Sequence, residues 1–145
     1  MRKLFLLFIL VHLTILTYAG PGDQLIGVWL TEEGNAKIKI EKSGNKYYGK
    51  IIWLEEPNNE NGKPKTDKEN PDEDKRNKPL IGLNLLKGFV WDADDNEWDN
   101  GTIYDPENGS TYDCYIVMED NNTIRVRGYI GVSLLGRTTI WKRVS

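Results

Sequence analysis

The side chains that most often do chemistry are scarce here: of 145 residues, one is histidine and one is cysteine. His12 lies in a stretch with the order of a secretory leader. Met1-Arg2-Lys3 is positive, Leu4 to Leu16 is apolar apart from His12 and Thr14, and Thr17-Tyr18-Ala19 frames a cleavage point. As a helix, Leu4 to Leu16 would rise only about 20 Å, too short for a bilayer core of about 30 Å. Cleavage is expected after Ala19 or after Gly20, so residues 1–19 read as a signal peptide and 20–145 as the working domain. That domain would hold no imidazole, the commonest general base and metal ligand. Zinc needs several Cys or His ligands, and a Ser–His or Cys–His nucleophile pair needs a histidine. No metal or other cofactor is expected, and the chain leans away from being an enzyme. Cys114 can form no internal disulfide and alternates with Tyr112 and Ile116, so it reads as a small core hydrophobe.

The acidic groups fail as cation sites too. Asp92, Asp94 and Asn96 alternate as in a calcium loop, but the sixth position is Glu97 instead of Gly and the twelfth is Ile103. Asp67, Asn70, Asp72 and Asp74 match no loop of known geometry. What remains is a carboxylate, tyrosine and arginine set: Tyr104, Asp105, Arg127, Tyr129 and Arg137. With the aromatics Trp53, Tyr112 and Trp141 they are the candidate ligand-binding residues. Tyr104 to Gly109 (YDPENG) reads first as turn chemistry, because Pro106 fixes φ and Gly109 accepts a positive one. Asp105 can also pair with Arg127 or Arg137 in a barrel mouth. If Ile124, Val126, Gly128 and Ile130 fill the interior, Arg127 and Tyr129 point outward; if the interior is polar, they line it.

The elements that must position these residues are strands. Ala36 to Lys42 sets Ala36, Ile38 and Ile40 on one face and Lys37, Lys39 and Glu41 on the other, the period of a half-buried strand. Similar runs cover Leu25 to Glu33, Tyr47 to Leu54, Leu83 to Trp91, Glu97 to Tyr104, Thr111 to Glu119, Thr123 to Gly131 and Arg137 to Val144. Turn signals such as Ser43-Gly44-Asn45, Asn108-Gly109 and Asp120-Asn121-Asn122 separate several of them. No long window is helical. The fold class is all-β: an antiparallel up-and-down meander of about eight strands, closing into a barrel to remove its edges, with a β-sandwich as the rival. Glu55 to Pro79 breaks the rhythm as a long polar loop containing Pro57, Pro64, Pro71 and Pro79. It reads as a solvated connection or as a functional segment.

In a closed meander the first and last strands are neighbours, so Arg143 can stack on Trp29 and plug one end, with Gly27 allowing a close approach. This Gly-x-Trp plus late Arg pattern resembles the lipocalin-like (calycin) barrels, and the resemblance implies binding of small, often apolar molecules. A second set of motifs occurs in order. It comprises Gly49-Lys50-Ile51-Ile52-Trp53, Thr66-Asp67-Lys68-Glu69-Asn70-Pro71-Asp72, Pro79-Leu80-Ile81-Gly82, Gly101 to Gly109, Arg127-Gly128-Tyr129-Ile130-Gly131 and Gly136-Arg137-Thr138. From about Leu25 to Val144 the chain resembles the exported bacterial family called domain of unknown function 2147. That resemblance implies a bacterial envelope protein with a β-barrel-like domain and brings no activity.

Charge narrows the partners. The formal charge is −3 with Arg2 and Lys3 counted, and more negative without them. Nucleic-acid binders present a basic face, so nucleic acid is not expected, nor membrane insertion after leader removal. The expectation is a periplasmic or secreted, noncatalytic binding module holding a small, apolar ligand. The alternatives are a structural or partner-binding envelope protein and, less favoured, a hydrolase with two carboxyls about 5–9.5 Å apart in a cleft.

Overall fold

The computed structural model describes residues 19–145, except the side chain of Ser133. Residues 1–18, which carry most of the expected leader and His12, lie outside the described residues. Eight strands follow in order: β1 (Gly27–Leu30), β2 (Ala36–Ser43), β3 (Lys46–Leu54), β4 (Asn84–Asp92), β5 (Glu97–Asp105), β6 (Ser110–Asp120), β7 (Thr123–Ile130) and β8 (Val132–Arg143). Each pairs antiparallel with the next, and β8 returns to β1, closing the barrel. The architecture is the all-β meander expected from the periodicity, as one ring and not two stacked sheets.

Two strand ends differ from the sequence expectation. β1 is shorter than the run Leu25 to Glu33, because Leu25 closes a 3₁₀ turn, Asp23–Leu25, and Thr31 accepts the amide of Gly34 in a tight turn. β8 starts earlier than Arg137, because Gly131 turns at φ 71° and lets Val132 pair with Ile130 at once.

Strand alternation puts apolar groups inside and charged ones outside. Ile38 and Ile40 are buried on β2 while Lys39 and Glu41 meet solvent, and Ile124 and Val126 are buried on β7. A membrane-spanning barrel has the reverse arrangement, with an apolar outer band. No helix among the described residues is long and apolar enough to cross a membrane.

Side-chain volume is unevenly distributed along the barrel. Trp29, Tyr47, Phe89 and Trp98 are fully buried towards the end that carries the β2–β3, β4–β5 and β6–β7 turns. Tyr47 and Trp98 meet edge to face with centroids 6.5 Å apart. The 3₁₀ turn lies across this end. Trp29 Nε1 donates to the Leu25 carbonyl at 3.0 Å, and Trp98 Nε1 donates to the Gly22 carbonyl at 3.0 Å. The Asp23 carboxylate accepts from Lys42 Nζ at 2.8 Å, Tyr47 Oη at 2.6 Å and the Gly20 N–H at 2.7 Å. Lys42 first, then Tyr47 and Gly20, hold its carboxyl down at about 2.

Arg143 completes the closure. Its guanidinium lies 4.2 Å from the Trp29 ring centroid and donates to the carbonyls of Gln24, Ile26 and Asn121. Gly27, at φ 151°, makes room: a Cβ there would sit 2.5 Å from Arg143 Nη1. The cation–π contact contributes about 0.5–2 kcal/mol and each charge-assisted hydrogen bond about 1.5–3 kcal/mol before solvent screening. Arg143→Ala is therefore expected to lower unfolding stability by about 2 kcal/mol or more in urea titrations, with Arg143→Lys recovering only part because an ammonium lacks the planar fork. Equal stability of wild type and Arg143→Ala would refute this account of the closed end.

Candidate functional site

Beyond the large aromatics the interior is lined by smaller groups. Ala36, Ile38, Ile51, Leu85, Ile103, Val126 and Gly128 surround a cavity of about 1260 Å³ that opens to solvent at the other end of the barrel. That volume exceeds the few hundred to about 1,000 Å³ of ordinary small-molecule sites. The mouth is built from the β1–β2 turn, the long β3–β4 connection, the β5–β6 turn and the β7–β8 hairpin.

Six of the eight candidate ligand-binding residues lie at this cavity: Tyr104, Asp105, Tyr112, Tyr129, Arg137 and Trp141. Trp141 is buried and donates Nε1 to Thr139 Oγ1 at 3.0 Å. Tyr129, at the end of β7, packs against Tyr115 with centroids 6.2 Å apart and reaches the rim.

Trp53 and Arg127 do not line the cavity. Continuing the alternation Tyr47, Gly49, Ile51 places Trp53 inside, but a β-bulge intervenes. Ile38 pairs with Ile51 while the adjacent Lys37 pairs with Trp53, so Ile52 is an extra residue and the faces exchange. Trp53 instead lies outside with Lys37 Nζ 4.8 Å from its ring centroid, and Leu54 turns in to the cavity. Arg127 alternates with the cavity-lining Val126 and Gly128 and so faces outward, where Nη1 donates to Thr138 Oγ1 at 3.0 Å.

Asp105 does not pair with Arg137. Its carboxylate accepts the Glu107 N–H at 2.9 Å and its carbonyl accepts the Gly109 N–H at 2.8 Å, while Arg137 Nη2 reaches Glu33 Oε1 at 2.9 Å. The YDPENG segment is thus a turn that also forms part of the rim.

The long loop is tied down by a residue that the sequence offers as a possible cation ligand and as part of one motif of the family resemblance. Asp67 is 1% exposed and accepts from Tyr104 Oη and Asn70 Nδ2, each at 2.7 Å. Its amide donates to the Lys78 carbonyl at 2.9 Å, and Thr66 bridges to Pro79. Asp72 accepts the Asp74 N–H at 3.0 Å, capping a 3₁₀ turn at Glu73–Lys75. The acidic run is thus spent on local structure. The loop also packs on the β5–β6 turn, where any Cβ on Gly109 would overlap the Glu69 carbonyl. Burial and the Asp67 carboxylate push the Tyr104 hydroxyl up to about 12, so it stays a donor. In a charged, proline-rich stretch nothing in the pattern marks Asp67 as buried, since a carboxylate is buried only when it has donors and Tyr104 lies far along the chain.

Burial pushes the Cys114 thiol up to about 12, so it stays protonated. Glu97 and Asp99, whose protonation is favoured by burial and by neighbouring Asp92 and Asp95, lie on β5 at the closed end. Among the described residues no three His, Cys, Asp or Glu side chains are grouped to hold a metal ion.

Comparisons with known proteins agree with this architecture. Residues 27–143 match the family described as "Uncharacterized protein conserved in bacteria (DUF2147)". Among solved structures, the chain is similar to protein HP1028 from the human pathogen Helicobacter pylori, described as belonging to the lipocalin family. The TM-score is 0.72 at 23% identity over 83% of each chain, a likeness of fold. No curated protein matches the sequence.

Tyr104→Phe removes the phenol that satisfies buried Asp67. The expected cost is about 1–3 kcal/mol, with cleavage within residues 55–79 accelerated in limited proteolysis. An unchanged cleavage rate would mean that the bond does not anchor the loop.

Proposed function

The chain belongs to the uncharacterised bacterial family DUF2147, and we propose that it is a noncatalytic binding module holding a small, predominantly apolar molecule in its barrel. One observation carries this reading: a cavity walled by Ile38, Ile51, Leu85, Ile103 and Val126 opens at one end of a barrel whose other end is packed with tryptophans. An interior pocket that is mostly apolar with a few polar groups at its rim is the usual form of a small-molecule site. The description of the Helicobacter protein as a lipocalin supports the same reading by analogy of fold.

Export to the periplasm or beyond, with the leader removed near Ala19, belongs to the proposal. Cleavage after Ala19 would turn the Gly20 nitrogen into an ammonium group, 2.7 Å from Asp23 Oδ2, where the carboxylate would neutralise it. A second reading, as a partner-binding protein, is favoured by the β7–β8 hairpin tip. Ile130, Val132, Leu134 and Leu135 there are 66%, 57%, 88% and 66% exposed.

The test is titration with a neutral lipophilic fluorophore, N-phenyl-1-naphthylamine, into wild type, Ile103→Trp and Leu134→Asp. Wild type and Leu134→Asp are expected to bind it, and Ile103→Trp, whose indole obstructs the apolar wall of the cavity, to bind at least tenfold more weakly with an unchanged circular dichroism spectrum. Binding untouched by Ile103→Trp but abolished by Leu134→Asp would move the apolar site to the hairpin tip and favour the second reading.

A further inference from the structure

The cavity fixes the body of the ligand; its rim says what the head should be. Six carboxylate side chains line the open end: Glu32, Glu33, Glu55, Glu56, Asp105 and Glu107. Only three cationic side chains, Lys65, Lys68 and Arg137, join them. Two of those cations already face carboxylates, Arg137 with Glu33 at 2.9 Å and Lys65 with Glu56 at 3.7 Å. The mouth therefore carries an excess of negative charge over walls of low polarity, an arrangement that focuses the field on a bound head group.

A separate feature points the same way. Three aromatic residues, Tyr104, Tyr112 and Trp141, line the same cavity, while the Tyr129 ring packs outside on Tyr115. Aromatic faces attract cations, above all quaternary ammonium groups that shed water readily, by about 0.5–2 kcal/mol each. An anionic head would meet repulsion from the six rim carboxylates and, with Arg137 and Lys65 engaged, only Lys68 to answer it.

We propose that the barrel is selective for cationic amphiphiles, molecules with an apolar body and an ammonium head, over anionic ones of the same chain length. The body lies against Ile51, Leu85, Ile103 and Val126, and the head sits between the rim carboxylates and the aromatic rings. This rests on the cavity being a binding site, as proposed above, and adds the sign of the charge.

The experiment separates the two. Decyltrimethylammonium, decyl glucoside and decyl sulfate, each below its micelle concentration, compete with N-phenyl-1-naphthylamine on the intact domain at low ionic strength. The ammonium compound is expected to bind at least tenfold tighter than the sulfate and several-fold tighter than the glucoside, with both gaps shrinking in 0.5 M NaCl as charge is screened. A double variant, Glu55→Gln with Glu107→Gln, leaves the apolar walls intact and should narrow the ammonium preference several-fold without changing glucoside affinity. Equal affinities, a preference for sulfate or glucoside, or a preference indifferent to the double variant would overturn the charge selectivity while leaving the binding module standing. If none of the three displaces the fluorophore, both readings fall.

Discussion

A barrel made by rolling one meander depends on its last seam, and here that seam is the weakest pairing in the ring. β1 contributes four residues, and only Trp29 with Arg143 and Leu30 with Lys142 stand in ladder register across it. The chain end extends the contact, Val28 exchanging backbone bonds with Val144 and Ser145. Arg143 does what the short ladder does not. It stacks on the Trp29 indole and holds three carbonyls contributed by the first segment and the β6–β7 turn. A guanidinium suits this place because its flat face covers an aromatic ring while its edge donates in several directions. Gly27 has to be glycine for the same reason, since a side chain there would occupy the space of the guanidinium.

Once the ring is shut, side-chain volume decides where it is solid and where it is hollow. Trp29, Tyr47, Phe89 and Trp98 fill one half, and the 3₁₀ turn seals it with tryptophan hydrogen bonds to backbone carbonyls. The other half is lined mainly by isoleucine, leucine, valine, alanine and glycine, with Tyr112 and Trp141 among them, and these do not meet across an eight-stranded barrel. The long polar connection is part of this design: Asp67, buried and bonded to Tyr104, holds it against the rim, so it shapes the mouth.

Much of this was legible in the residues. Alternation such as Ala36, Ile38, Ile40 against Lys37, Lys39, Glu41 carries strand identity directly, and even spacing with short links favoured a closed meander. Trp29 and Arg143 could be joined because first and last strands of a ring must touch. The site was less legible. Trp53 falls on the wrong face because one extra residue, Ile52, resets the alternation, and no composition signal marks a bulge. Asp67 hid among similar charged neighbours because its burial depends on Tyr104, far along the chain. The cavity was beyond reach, because it arises from volumes summed over residues on seven strands and three loops.

The barrel is asymmetric in construction, solid at the Arg143 end and hollow and open at the other. The most direct measurement of that asymmetry is a methyl and indole NMR titration of the domain with decane-saturated buffer. The account predicts shifts at Ile51, Leu85, Ile103, Val126 and Trp141, with Trp29 and Trp98 unmoved. Shifts centred on Trp29 and Trp98, or none at the cavity methyls, would contradict it.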